Sequence, residues 1–414
     1  MKYTDQIKRI CTFFSCLLLI LVIYSCNQGK KKHAKGSFGY DVEFLQQYTE
    51  AFTLKSPSGS GKILIVPEYQ GRIMTSSLAG DVGNSFGWVN YDLISSGKQL
   101  ERFNPYGGED RFWLGPEGGQ FSLYHKKGGP FEMDNWYVPE QVDKLSYELV
   151  KRDESSADFT VEFDIINYSG TIFYLKLERS VRVYNEEETS NKLGIWISEN
   201  VGMVGFESNN VLFNMGDEKW DKESGLISIW ILGLYIPGDE TVICIPYQEG
   251  NESDLGPVMN DTYFGKVPAD RLKAIDGAIY FSADGKYRSK IGLNWHRCKN
   301  ILGSYDPVKN VLTIVQFNKP EEPGEYMKAM WEIMQDPYNG DAVNSYNDGV
   351  TEPGGKPLGP FYELETSSSV KELNPGESIQ HIHRTFHFQG EKKDLNTISR
   401  ELLGVSLDEI QSAL

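Results

Sequence analysis

The 414-residue sequence predicts an all-β fold: one large antiparallel β-sandwich with short helices at its ends. Three observations carry that expectation. The chain is 13% aromatic and 40% hydrophobic with 41 glycines, too apolar for disorder and too rich in Gly and aromatics for a helical bundle. Strand-like runs recur between turn-forming clusters, with little helical periodicity between them. The chain shows no repeat, long linker or change of composition that would divide it, so one oversized sandwich is the economical architecture.

In chain order, the apolar stretch Cys11 to Tyr24 follows Lys8 and Arg9. It is shorter than the roughly 20 residues a membrane-spanning helix needs and suits the apolar region of an export leader. Ile23-Tyr24-Ser25-Cys26 resembles a bacterial lipobox, which implies cleavage before Cys26 and lipidation of its thiol. The other reading is an ordinary leader or anchor in which Cys26 is incidental. Residues 1–25 are therefore expected to be the signal peptide, and 26–39 a basic tether suited to anionic lipid. Residues 40–390 are expected to form the sandwich, and 391–414 a helical tail. The protein would be lipid-anchored in the cell envelope, at the outer membrane or periplasmic face, and monomeric. Of five cysteines, Cys244 and Cys298 remain for the fold, and Cys244 in Thr241-Val242-Ile243-Cys244-Ile245 is expected to be a free core thiol.

Tyr40 to Tyr48 can form a short helix, and Asp394 to Leu414 a pair, the second opened by Ser406 with Glu409 three residues on. Strands are expected at Lys62 to Val66, Phe159 to Ile166, Thr171 to Leu177, Ile227 to Leu232, Val311 to Phe317 and Ile379 to Phe388. Net charge is −17, and the leader holds three cations against one acid, so the mature chain is more acidic still. That excess of carboxylates excludes general affinity for nucleic-acid phosphates.

Several motifs fail on inspection. Ser58-Gly59-Ser60-Gly61-Lys62 lacks the Walker glycine and is followed by Ile63 and a strand. Asp341, Asn344, Asn347 and Asp348 lack the spacing of an EF-hand loop, so no cofactor is expected, a calcium ion on distant oxygens being the one exception entertained.

Three constellations bear on function. In Gly107 to Gly119, three Gly-containing turns surround Arg111, Trp113 and Glu117. Arg grips hydroxyls or carboxylates and Trp offers a flat face to sugar C–H groups. The loop Asp336 to Gly349 gathers amides, carboxylates and tyrosines, with Asp341, Asn347 and Asp348 suited to a polyol. Near the C-terminus, Glu363 and Glu365 share one strand face, as do His381, His383 and His387. If these two strands pair through Asn374-Pro375-Gly376, one bulge sets Glu365 opposite His387, a carboxylate–imidazole pair fit for proton transfer. His383 and His387 would lie roughly 13 Å apart, too far to share a metal. Trp295 and His296 form a further, smaller platform. Each constellation also has a structural reading: a turn with a buried Arg–Glu pair, an Asn- and Asp-rich loop, a solvated sheet face.

The runs Gly107 to Gly119, Trp220 to Leu232, Gly303 to Asp306, Gly340 to Gly349 and Phe361 to Thr366 resemble an uncharacterised family of exported bacterial lipoproteins in the galactose mutarotase-like superfamily. The resemblance implies an antiparallel β-supersandwich with a carbohydrate cleft on one sheet. Leu364-Glu365-Thr366-Ser367 is similar to the aldose 1-epimerase strand that carries the general base, which assigns that role to Glu365, and Arg111 matches the substrate-binding Arg. The epimerase His-Gly and Asn-His-x-Tyr-Phe patterns are absent, so an acid would come from His296, His383 or His387. The expectation is a carbohydrate-binding envelope lipoprotein with a mono- or oligosaccharide ligand. It would act as an epimerase-like isomerase or a hydrolase or lyase variant; the alternatives are noncatalytic glycan binding and a structural role.

Overall fold

The computed structural model describes residues 33–350 and 354–414. The leader, the lipobox and Cys26 lie outside the described residues. A folded unit begins at Gly36, ahead of the expected boundary at residue 40. Ser37 bridges Asn84 and its side chain accepts from the Tyr40 amide, capping a helix at Phe38–Leu45. The end of the expected tether is thus part of the fold.

Alternating apolar and polar positions set the strands. In chain order these are β1 (Phe52–Lys55), β2 (Lys62–Val66), β3 (Arg72–Ser77), β4 (Arg111–Gly115), β5 (Glu148–Arg152), β6 (Ser156–Ile166), β7 (Ile172–Tyr184), β8 (Gly202–Asn214) and β9 (Ser228–Tyr235). They continue with β10 (Val242–Pro246), β11 (Leu272–Ile275), β12 (Ala278–Ser282), β13 (Ser289–Asn294), β14 (Ile301–Asp306), β15 (Val311–Phe317), β16 (Asp341–Asn347), β17 (Tyr362–Ser367) and β18 (Ser378–Gln389). A ten-stranded sheet runs β11-β12-β10-β14-β15-β18-β8-β7-β6-β5, a five-stranded sheet β13-β16-β17-β9-β4, and a small one β1-β2-β3. Every pairing within them is antiparallel. The all-β antiparallel class read from the sequence is the fold observed.

The two large sheets bury their facing sides on each other. Ile291, Val343 and Leu364 of the five-stranded sheet meet Ile243, Leu302 and Val315 of the ten-stranded one. Further along, Phe112 and Ile231 pack with Phe159, Leu177 and Phe206. Full burial of such side chains contributes about 1.5–3 kcal/mol each. The far side of the ten-stranded sheet is not left bare around Cys244, Leu312, Phe386 and Phe388. Leu395, Ile398, Leu407 and Ile410, from helices Lys392–Leu402 and Leu407–Ser412, cover it. The Ser406–Glu409 capping box expected from sequence starts the second of these helices.

Two sequence expectations are corrected. First, short helices also interrupt the strands, at Tyr91–Ser96, Glu140–Asp143, Glu186–Leu193 and Glu252–Leu255. One of them carried a legible signal, since Asn185 and Glu188 make a capping box and Gly194 closes the helix with positive φ. Second, β17 and β18 do not pair. β17 lies between β16 and β9, and β18 between β15 and β8, in different sheets. The connection from Ser368 to Glu377 is too long for a tight hairpin. It is pinned instead by Val370 bridging Glu325 and Leu373 bridging Trp220, and so crosses from one sheet to the other.

Cys244 and Cys298 are both free and buried. Among the described residues no helix is long and apolar enough to cross a membrane.

Candidate functional site

The five-stranded sheet turns one face to the core and the other toward a cleft roofed by loops. The period of two decides which side chains point outward: Arg111 and Trp113 on β4, Trp230 and Leu232 on β9, Glu363 and Glu365 on β17, Asn344 and Tyr346 on β16, and Lys290 on β13. Register aligns them in rows, with Lys290 beside Tyr346 and Glu363, and Asn344 beside Glu365, Leu232 and Arg111. The turn ahead of β4 is built for this placement. Gly107 sits at φ +98°, where a Cβ would stand 2.0 Å from the Trp88 carbonyl oxygen, so only glycine lets the chain enter β4 here. Gly292 acts differently, since a Cβ there would lie 2.2 Å from Asp341 Oδ2 and 2.5 Å from Asn344 Nδ2.

Each acid of β17 is held by a cation one row away. Arg111 Nη2 donates to Glu363 Oε1 at 3.1 Å. Glu365 Oε2 accepts from Lys290 Nζ at 3.0 Å and from Trp230 Nε1 at 2.9 Å. The cations also lie on aromatic faces: Arg111 4.1 Å from the Trp113 ring centroid, and Lys290 4.6 Å from that of Trp230. Glu365 is fully buried and Glu363 and Arg111 nearly so. Burial pushes the Glu363 carboxyl up to about 8; Arg111 pulls against that shift while Glu365 adds to it. Desolvation likewise raises Glu117, which accepts from Trp136 Nε1 at 3.1 Å on the cleft wall. Burial works against the Lys290 ammonium, yet Glu365, Glu117 and Glu363 outweigh it and raise its pKa.

The walls are aromatic. Trp113 meets Trp230 edge to face at 5.5 Å and Phe103 at 5.6 Å, with Phe264, Tyr346 and Phe361 completing the rim. The cleft holds a cavity of about 90 Å³, and a neighbouring one of about 320 Å³ shares Glu117, Phe264 and Arg288 with it. Four buried polar atoms at or behind these walls have no hydrogen-bond partner: Arg111 Nε, Trp113 Nε1 and Arg288 Nε on residues that line the cavities, and Glu365 Oε1 on a residue that lines neither. Unsatisfied buried polar atoms are costly and uncommon, and four together single this place out.

The structure brings Arg111, Trp113, Glu117, Glu363 and Glu365 together, sets Asp341 on the same sheet face beside Asn344 and Tyr263, and disperses the other sequence-predicted residues. His383 and His387 are corrected as partners of Glu365. With His381 they project from β18 into the interior between the sheets, behind β17. Thr366 Oγ1 sits 2.7 Å from His381 Nε2 and 2.8 Å from His383 Nδ1. Because Thr366 follows Glu365 on the strand, it points to the opposite side. Burial lowers His381 to about 3 and His383 to about 4, so both are neutral core groups. The carboxylate beside His387 is Glu109, 2.9 Å from Nε2, while Nδ1 is 2.9 Å from Thr313 Oγ1.

Trp295 and His296 follow β13 and line neither cavity: Trp295 donates to the Pro320 carbonyl, and His296 is exposed. Asn347 faces away from the cleft and accepts from the Gly285 amide. Asp348 buttresses the wall from behind, accepting from Tyr346 Oη at 2.8 Å and the Gly359 amide at 2.9 Å. Asp341 accepts from Tyr263 Oη at 2.5 Å, and burial raises its carboxyl to about 6. These oxygens do not converge as calcium ligands, and among the described residues no three His, Cys, Asp or Glu side chains gather as a metal set.

Sequence reasoning missed Lys290, Arg288, Trp230 and Phe264. Lys290 carried only a weak signal, one cation between Ser289 and Ile291 in a short strand.

Residues 36–414 match the model of the family of unknown function DUF6786. The chain belongs to that family. No curated protein matches it. Among solved structures the chain is similar to the Slr1438 protein of Synechocystis, at 11% identity over 83% of this chain and 96% of that one, TM-score 0.48. It is similar to a galactose mutarotase-like protein from Lactobacillus casei, at 10% identity over 81% and 99%, TM-score 0.46. It is also similar to a galactose mutarotase related enzyme from Lactobacillus acidophilus, at 10% identity over 81% and 97%, TM-score 0.43.

Proposed function

We propose that this DUF6786 protein binds a sugar in the aromatic cleft of the five-stranded sheet and moves a proton on it. The observation that carries this reading is the pair of carboxyl groups on β17, adjacent on one face yet in different surroundings. Glu365 is fixed by two donors, and a protonated Glu363 adds a hydrogen bond to it. Glu363 retains a proton near neutral pH because burial outweighs its single contact with Arg111. An acid that holds its proton beside a carboxyl gripped by two donors provides a proton donor and an acceptor side by side.

For a cyclic aldose the step balances. Glu365 accepts the proton of the anomeric hydroxyl, the C1–O1 bond becomes a carbonyl, the bond from C1 to the ring oxygen breaks, and Glu363 delivers its proton to that oxygen. Reclosure after rotation about the C1–C2 bond gives the other anomer. Trp113 and Trp230 supply flat faces for the sugar ring. Binding without turnover is the second reading, favoured by the fact that both acids already accept from a cationic side chain.

The test is anomer exchange followed by polarimetry or NMR over a panel of aldoses. Glu365→Gln is expected to lower the rate at least a hundredfold with binding retained. Absence of exchange with any sugar, with binding unaffected by either Gln substitution, removes the catalytic reading. Lipid anchoring through Cys26 belongs to the same proposal, and palmitate labelling of cells expressing the chain should disappear on Cys26→Ser.

A further inference from the structure

The cleft discriminates among the unsatisfied atoms it offers. Three of the four are N–H donors, on Arg111, Trp113 and Arg288, and only Glu365 Oε1 is an acceptor. A neutral polyol brings hydroxyls that donate and accept alike. A wall with a three-to-one excess of open donors is matched better by a ligand with an acceptor-only end. The cations are placed accordingly. Arg111 donates from Nη2 to Glu363, and its Nε has no partner. Arg288 lies 3.6 Å from the Phe264 ring centroid, where the two cavities meet, and belongs to the lining of both. Lys290 lines the first of these cavities, with its Nζ 3.0 Å from Glu365.

We infer that the ligand is an acidic sugar, a ring bearing an anionic substituent that lies between Arg111 and Arg288 while one of its hydroxyls donates to Glu365 Oε1. The inference rests on the carbohydrate reading above and adds the charge of the substrate. A guanidinium fork matches a carboxylate or a phosphoryl group in two parallel hydrogen bonds, which a lone hydroxyl cannot reproduce. Arg111, Arg288 and Lys290 line one cavity, so three cationic groups of a chain with net charge −17 are gathered in one place.

The experiment is calorimetric titration of the full folded protein with methyl glucoside, glucuronate and glucose 6-phosphate at one ionic strength. The acidic sugars are expected to bind at least tenfold more tightly than the neutral glycoside. The tighter of the two identifies the anionic group as carboxylate or phosphate. Arg288→Gln, at a partly buried position, should erase most of that preference, the acidic sugars falling to within about twofold of methyl glucoside measured on the same variant. Arg111→Gln should do the same if it folds, and the conclusion does not depend on it. Equal affinities for charged and neutral sugars, or a preference unmoved by Arg288→Gln, overturn the inference and leave the carbohydrate reading intact. Binding of none of the three overturns both.

Discussion

Replacing Glu363 by Gln should make the protein more stable, by an amount that grows with pH. Glu363 is nearly buried, and its carboxyl rises from 4.5 to about 8 in the fold because burial penalises the charged form. Between those values the folded chain keeps a proton that the unfolded chain has released. Stability due to this group is therefore complete below pH 4.5 and is lost progressively as pH rises to about 8. Each unit of displacement corresponds to about 1.4 kcal/mol, so the full window sets a ceiling of about 5 kcal/mol, which water entry and side-chain relaxation reduce. Glutamine keeps the shape and an acceptor oxygen for Arg111 and cannot ionise. The variant should match the parent at pH 4.5 and exceed it by at least about 2 kcal/mol at pH 8. Urea unfolding followed by tryptophan fluorescence at unit steps from pH 4.5 to 9 measures the difference. A difference that stays flat or falls with rising pH would refute the account of Glu363 as a buried, proton-holding acid.

Lys290→Met should cost about 3–5 kcal/mol in the same assay at pH 7, because it leaves Glu365 charged and buried with Trp230 as its one remaining partner. His387→Phe should cost about 1–3 kcal/mol through the orphaned Thr313 hydroxyl and the loss of one partner of Glu109, which keeps Ser76. It should leave sugar affinity within twofold of the parent, since His387 lies behind the sheet; a large loss of binding would place it back in the site. Gly107→Ala should destabilise by more than about 1 kcal/mol and weaken binding, as the turn that sets Arg111 is forced open; an unaffected melting temperature would contradict this.

Much of the fold was legible because period-two alternation and turn residues are local signals. Val311–Phe317 has the bounds its sequence suggests, and so does Lys62–Val66. The Ser406 capping box was equally local. The choice of strand partners was not, because two neighbouring strands can belong to different sheets when the chain between them crosses the sandwich. That one ambiguity misplaced the histidines. Their shared face on β18 was read correctly, and so was the shared face of Glu363 and Glu365. Which of those faces lies in the cleft and which in the core depends on the partner sheet. Arg111, Trp113 and Glu117 were found because a Gly-rich turn with Arg and Trp is conspicuous. Lys290 was passed over because a single lysine in a strand is ordinary until its burial is known.

A consequence follows from β17 having two engaged sides. Thr366 is fastened to two histidines of the opposite sheet, and its neighbour Glu365 reaches the cleft from the same stretch of backbone. Retuning this protein therefore does not require touching the residues that line the cleft. A slightly smaller or larger side chain at Thr366 would shift the backbone by a fraction of an ångström, and the acids in front would move with it. Evolution, or an engineer, can adjust the grip from the rear and leave the aromatic walls unaltered.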